Sequence, residues 1–66
     1  MIIRHKNRMI NSDHVKDIER IDDNLWFEFT DRGHQDKIIY ETPEQAQSAF
    51  EKIFQGFDAG FRVVEI

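Results

Sequence analysis

Three histidines, His5, His14 and His34, are the side chains of this 66-residue chain best suited to hold a metal ion or exchange a proton near neutral pH. Their spacing argues against a metal, because none has a second imidazole one helical turn away and the chain has no cysteine to complete a set. Asp13, Asp17, Asp22, Asp23 and Asn24 lack the alternating ligands, central glycine and closing glutamate of a calcium loop, and Asp22-Asp23-Asn24 reads as a turn. For nucleophilic catalysis, Ser12 stands where a cap is expected and Ser48 lies in a helical stretch with no motif around it. Glu28 and Glu41 could act as acid and base if they face one another across adjacent strands, but so small a domain has little room for a pocket to tune them. Gly33 is the only glycine before the helix, so no phosphate-cradling loop is present. The expectation is a chain with no catalytic residue, no metal and no cofactor.

Charge narrows the partners. The net charge of −4 is uneven: residues 1–20 hold five Lys/Arg against three Asp/Glu, and residues 21–66 hold four against ten. A duplex-binding surface is dominated by counterion release and shows a basic stripe. Arg4, Lys6, Arg8 and Arg20 are the residues that could supply one, with Trp26 and Tyr40 as stacking surfaces for single-stranded bases. The acidic balance disfavours nucleic acid, and this reading stands as the alternative. Met1-Ile2-Ile3-Arg4-His5-Lys6 leads into polar residues, so neither a secretory signal nor a membrane span is read, and the cysteine-free composition fits a cytoplasmic protein.

The elements that must position these side chains centre on Thr42-Pro43-Glu44-Gln45. Thr42 can cap the exposed amides, Pro43 suits the first helical position, and Gln45 stands where a capping box places its return hydrogen bond. The helix from residue 43 to about 57 carries Ala46, Ala49, Phe50, Ile53, Phe54 and Phe57 as one apolar stripe that needs a sheet to cover, with Gly56 and Gly60 as possible endings. Ile2-Ile3 and Met9-Ile10 flank a turn at Lys6-Asn7 and form a hairpin or one bent strand. Val15, Ile18 and Ile21 recur every three residues, which predicts a helical turn over Ser12 to Lys16 passing into a strand around Ile18 to Ile21. Leu25 to Thr30 alternates with period two, so Leu25, Phe27 and Phe29 meet the helix while Trp26, Glu28 and Thr30 face away. A connection over residues 31–35 leads to a strand from Asp36 to Glu41, with Ile38 and Tyr40 on one side and Ile39 on the other; Phe61 to Ile66 predicts a last strand.

The layout Asn11-x-Asp13-x-Val15-x-x-Ile18, Leu25-x-Phe27-x-Phe29 and Thr42-x-Glu44-x-Ala46-x-x-Ala49-Phe50-x-x-Ile53 resembles small uncharacterised bacterial and phage-type proteins with a β-meander and one C-terminal helix. The resemblance implies a fold class and carries no functional residues. The predicted architecture is a single α+β domain over residues 1–66: a small curved antiparallel sheet of three to five strands, one helix packed on one face, and a short C-terminal strand. Once the helix is used, several apolar side chains lack cover. Trp26, Ile39, Tyr40, Phe61, Val63 and Val64 are therefore the candidate interface. The expected function is a non-enzymatic protein–protein interaction or assembly module, a homodimer through a sheet edge or outer face or else bound to another protein.

Overall fold

Among the described residues each strand contributes one to three inward apolar residues, and six such strands with one helix build the core. The structure is a computed structural model that describes residues 1–31 and 33–66; Arg32, within the expected 31–35 connection, lies outside the described residues. The chain is α+β, as its pattern predicts, with strands β1 (Ile2–His5), β2 (Arg8–Asn11), β3 (Val15–Ile21), β4 (Asn24–Phe29), β5 (Gln35–Ile39), helix α1 (Pro43–Ala59) and strand β6 (Val63–Glu65). The strands divide into two three-stranded sheets, ordered β2-β1-β6 and β3-β4-β5, where one sheet was expected.

The first sheet begins with the β1–β2 hairpin, in which His5 opposes Arg8 across Lys6-Asn7. Lys6 adopts a left-handed φ of 54°, and Asp22 does the same (φ 54°) in the β3–β4 turn. Strand β6 then adds to the other side of β1 in parallel, an exception to the expected antiparallel order. Ile2 N–H donates to the Arg62 carbonyl and Ile66 N–H to the Arg4 carbonyl, both at 2.8 Å, so the C-terminal segment is tied down within its own chain.

The second sheet corrects the reading of residues 12–16. Ser12–His14 form a short 3₁₀ turn, with the Asn11 side chain accepting from Asp13 N–H at 3.0 Å, and strand β3 starts already at Val15. The ladder to β4 shifts register between Val15 and Asp17. The bulge inserts one extra residue, so Val15 and Ile18 pack against the core from the same face although they are three apart. The Val15–Ile18 interval that resembles a helix is thus produced by a bulged strand, while Ile21, one more interval on, is exposed and not part of the core.

Strand β4 follows its alternation: Leu25 and Phe27 are fully buried and Phe29 packs against the same cluster. Ile3, Ile10, Ile38, Ala46, Ala49, Ile53 and Val64 complete the core, drawing both sheets onto α1. Thr42 Oγ1 accepts from Gln45 N–H at 3.2 Å, and the return bond runs from Glu41 N–H to Gln45 Oε1 at 3.0 Å, one residue earlier than a standard capping box. The helix ends at Gly60 rather than Gly56. Gly60 takes φ 74°, its N–H donates to the Phe57 carbonyl, and Phe61 N–H donates to the Gly56 carbonyl, the two bonds of a Schellman cap.

Candidate protein-contact surface

Helix α1 carries two neighbouring rows, each with three- and four-residue spacing. The inner row, Ala46, Ala49, Ile53 and Gly56, is buried against the sheets. The adjoining row, Gln47, Phe50, Phe54 and Phe57, is rotated by one residue, about 100° around the axis. Phe50 is half-buried, while Phe54 and Phe57 are 68% and 74% exposed. The expected single stripe therefore splits: its Ala and Ile positions go inward and its last two phenylalanines stand in solvent.

Small side chains explain the split. A Cβ built on Gly56 would collide with Cγ2 of Val64, so the helix approaches β6 more closely than any other residue at that position would allow. With the backbone drawn in over Ala46, Ala49 and Gly56, the rings one residue further round stand clear of the sheet and form a wall instead of a lid. Between that wall and β3 runs an open groove of about 300 Å³, with Val15, Ile18 and Ile53 in its lining, Phe54 and Phe57 on its lip, and Met1 in its wall. Two rings so exposed present roughly 300 Å² of apolar surface, taking about 200 Å² for each. Covering all of it would contribute about 7 kcal/mol before association costs.

Charges border the groove on both sides. Glu44, Glu51 and Asp58 recur every seven residues on the solvent side of the phenylalanine row, all exposed, and Gln47 Nε2 donates to Glu51 Oε1 at 3.1 Å. The β3 wall adds Lys16 and Asp17. Lys16 Nζ lies 3.9 Å from Glu28, a loose pair.

The candidate interface residues are not brought together on one face. Val64 is buried beneath Gly56, so it serves the core and not an outer contact, a correction to the sequence reading. Tyr40 is half-buried, donates its O–H to the Ile66 carbonyl at 3.2 Å and meets the His5 ring edge-on at 5.6 Å; burial pushes its phenol above the ordinary value. Trp26 and Ile39 lie on the outer face of the second sheet, where Lys37 Nζ sits 5.0 Å from the centre of the Trp26 ring. Phe61 and Val63 are exposed around the start of β6, 57% and 55% respectively. The sequence reading missed Phe54 and Phe57 as surface residues because they share helical spacing with the core; the signal that separates them is the row one residue earlier, in which Ala46, Ala49 and Gly56 are small and only Ile53 is large.

Of the four basic residues suited to nucleic acid, Arg8 and Arg20 have side-chain partners within the chain, and Arg4 and Lys6 are exposed. Arg8 forms an ion pair with Asp36, Arg20 Nη1 donates to the Asp22 carbonyl at 2.9 Å, and Arg4 stands beside Glu65 in the β1–β6 register. Lys6 is exposed in the β1–β2 turn. Glu28 and Glu41 are not opposed: Glu28 pairs with Gln35 at one end of the β4–β5 ladder, and Glu41 follows the other end, about six residue steps or roughly 20 Å away. His34 packs on Phe29 at 5.1 Å between ring centres. Among the described residues no group of three His, Asp or Glu side chains could hold a metal ion. A hollow of about 430 Å³ lined by His5, Lys6, Tyr40, Glu41, Ser48 and Lys52 mixes charges of both signs, and the Tyr40 hydroxyl in it is already committed. No helix of the described residues is long and apolar enough to cross a membrane. Comparison with protein families, curated proteins and solved structures finds nothing that matches this chain.

Proposed function

We propose that this chain is a non-enzymatic protein-interaction or assembly module whose contact surface is the groove between β3 and the phenylalanine row of α1. The observation that carries it is Phe54 and Phe57 standing side by side in solvent at the lip of an apolar groove. Exposed apolar surface of this kind, bordered by charges, is the usual anatomy of a protein contact. The cysteine-free composition supports a cytoplasmic setting for it. The test is a photo-crosslinking residue placed at position 54 and, separately, at Ser48 on the far side of the helix, in the native cell. A protein adduct at 54 and none at 48 is expected; no adduct at 54 overturns the reading.

Self-association through the first sheet is a second reading, supported by exposed Val63 in β6 and Phe61 just before it, the strand having no partner on its outer side among the described residues. It predicts a mass that rises with concentration and falls back when Phe61 and Val63 are replaced by serine. A constant monomer mass from low micromolar to millimolar removes it. The edge of β3 is a poorer candidate. Antiparallel self-pairing about Ile18 sets Lys16 against Arg20 and Asp17 against Glu19, and pairing about Asp17 or Glu19 sets each against its own copy.

A further inference from the structure

The acidic border of the groove says what kind of chain it takes. Glu44, Glu51 and Asp58 form a row about 21 Å long, the rise of fourteen helical residues, with Glu51 and Asp58 directly beside Phe50, Phe54 and Phe57 and Glu44 about 9 Å before Phe50 along the axis. Large apolar side chains at three- and four-residue spacing with charges repeating every seven are the pattern one helix shows to another along a packed seam. A second copy of this chain is a poor occupant. Laid antiparallel, its own row sets Glu51 against Glu51 and Glu44 against Asp58; laid parallel, the three acids meet a β3 wall that offers Lys16 together with Asp17. Neither arrangement supplies a cation for each acid.

We infer that the groove binds an amphipathic helix of another protein, with large apolar residues at three- and four-residue spacing and a border of Lys or Arg repeating every seven. The inference rests on the proposed interaction role of the same groove and adds the partner's secondary structure and charge. Apolar contact with Phe54 and Phe57 supplies most of the affinity, and the basic border sets orientation and excludes acidic competitors.

The probe is a synthetic eighteen-residue helix of roughly five turns, leucines at the seam and lysines along one border, compared with the same peptide carrying glutamates there. Fluorescence anisotropy at low salt should show the lysine peptide binding at least about tenfold more tightly than the glutamate peptide, an advantage that shrinks as salt screens the border. Phe54→Ser with Phe57→Ser should abolish binding, and Glu51→Lys with Asp58→Lys should weaken the lysine peptide about tenfold and strengthen the glutamate peptide. Glu65→Lys, away from the groove, should change neither, which separates groove binding from general attraction to an acidic protein. Equal binding of both peptides through Phe54 and Phe57 overturns the charge assignment while leaving the interaction role intact. Binding that survives loss of both phenylalanines, or no binding of either peptide, overturns the inference. A dimer that Phe54→Ser dissolves and that competes with the peptide assigns the groove to a second copy and overturns it as well.

Discussion

The two adjoining rows of α1 differ in a way that hydrophobicity does not explain. Ala46, Ala49 and Gly56 are buried with Ile53, whereas Phe54 and Phe57, far more apolar by area, face solvent. Size decides which row goes inward: small residues let the backbone settle onto β6 and β3, and a row of rings in their place would hold the helix off both sheets. The inner row joins the two sheets, and the outer row is left for an external contact. Stability and binding are thereby assigned to residues one position apart.

The largest test exchanges one residue from each row. Ile53→Ala should cost about 2–5 kcal/mol, since it empties buried space between helix and sheets, and in a domain this small that is most of the stability available. Phe57→Ala should shift it by no more than about 0.5 kcal/mol, as for an exposed site. Urea unfolding of both variants checks this, and a Phe57→Ala cost comparable to that of Ile53→Ala would erase the distinction between the rows. Next in size is Gly56→Ala. Helix propensity alone would favour it by about 1 kcal/mol, but the added methyl meets Val64, and the net change should be a loss of about 1–3 kcal/mol. Combining it with Val64→Ala should cost less than the sum of the single changes, a coupling measurable in a double-mutant cycle.

Most of the fold was legible because it follows local rules. The Thr42 cap, the alternation of Leu25 to Phe29 and the burial of Ile38 needed only period and capping chemistry. Three features depended on contacts distant in sequence. The parallel pairing of β6 with β1 joins opposite ends of the chain, and nothing in Val63-Val64-Glu65 specifies its neighbour. The bulge at Lys16 turned a strand into an imitation of helical spacing. The groove was hidden because Phe54 and Phe57 share the three- and four-residue spacing of the core row, and their exposure follows from how closely Gly56 lets the helix approach. Val64 entered the candidate interface for the same reason, as its burial depends on that glycine.

Smaller effects act on the helix ends and so on both rows together. Thr42→Ala should lose about 1 kcal/mol with the hydrogen bond to Gln45 N–H. Gly60→Ala should cost a similar amount, about 1–2 kcal/mol, because its left-handed φ strains any residue with a Cβ. Neither should change the ratio of binding to stability that separates the rows, and circular dichroism melts with peptide titrations would show whether it does.

The smallest expected effect concerns the ion pair between the sheets on β2 and β5. Burial pushes the Asp36 carboxyl up, but the Arg8 hydrogen bond, the Lys37 N–H and the charges of Arg8 and His34 outweigh it and hold the group below its ordinary 3.8. A depressed carboxyl contributes stability that is fully present above that ordinary value and is lost as pH falls through the lower folded value. Both side chains are more than a third exposed, so solvent screens the pair and the loss should be slight. Asp36→Asn should flatten this part of the stability curve below pH 4 while leaving the neutral-pH midpoint nearly unchanged. If neutral-pH stability instead drops as far as it does in Ile53→Ala, the two sheets depend on Arg8 and Asp36 as much as on the inner row, and α1 is not alone in joining them.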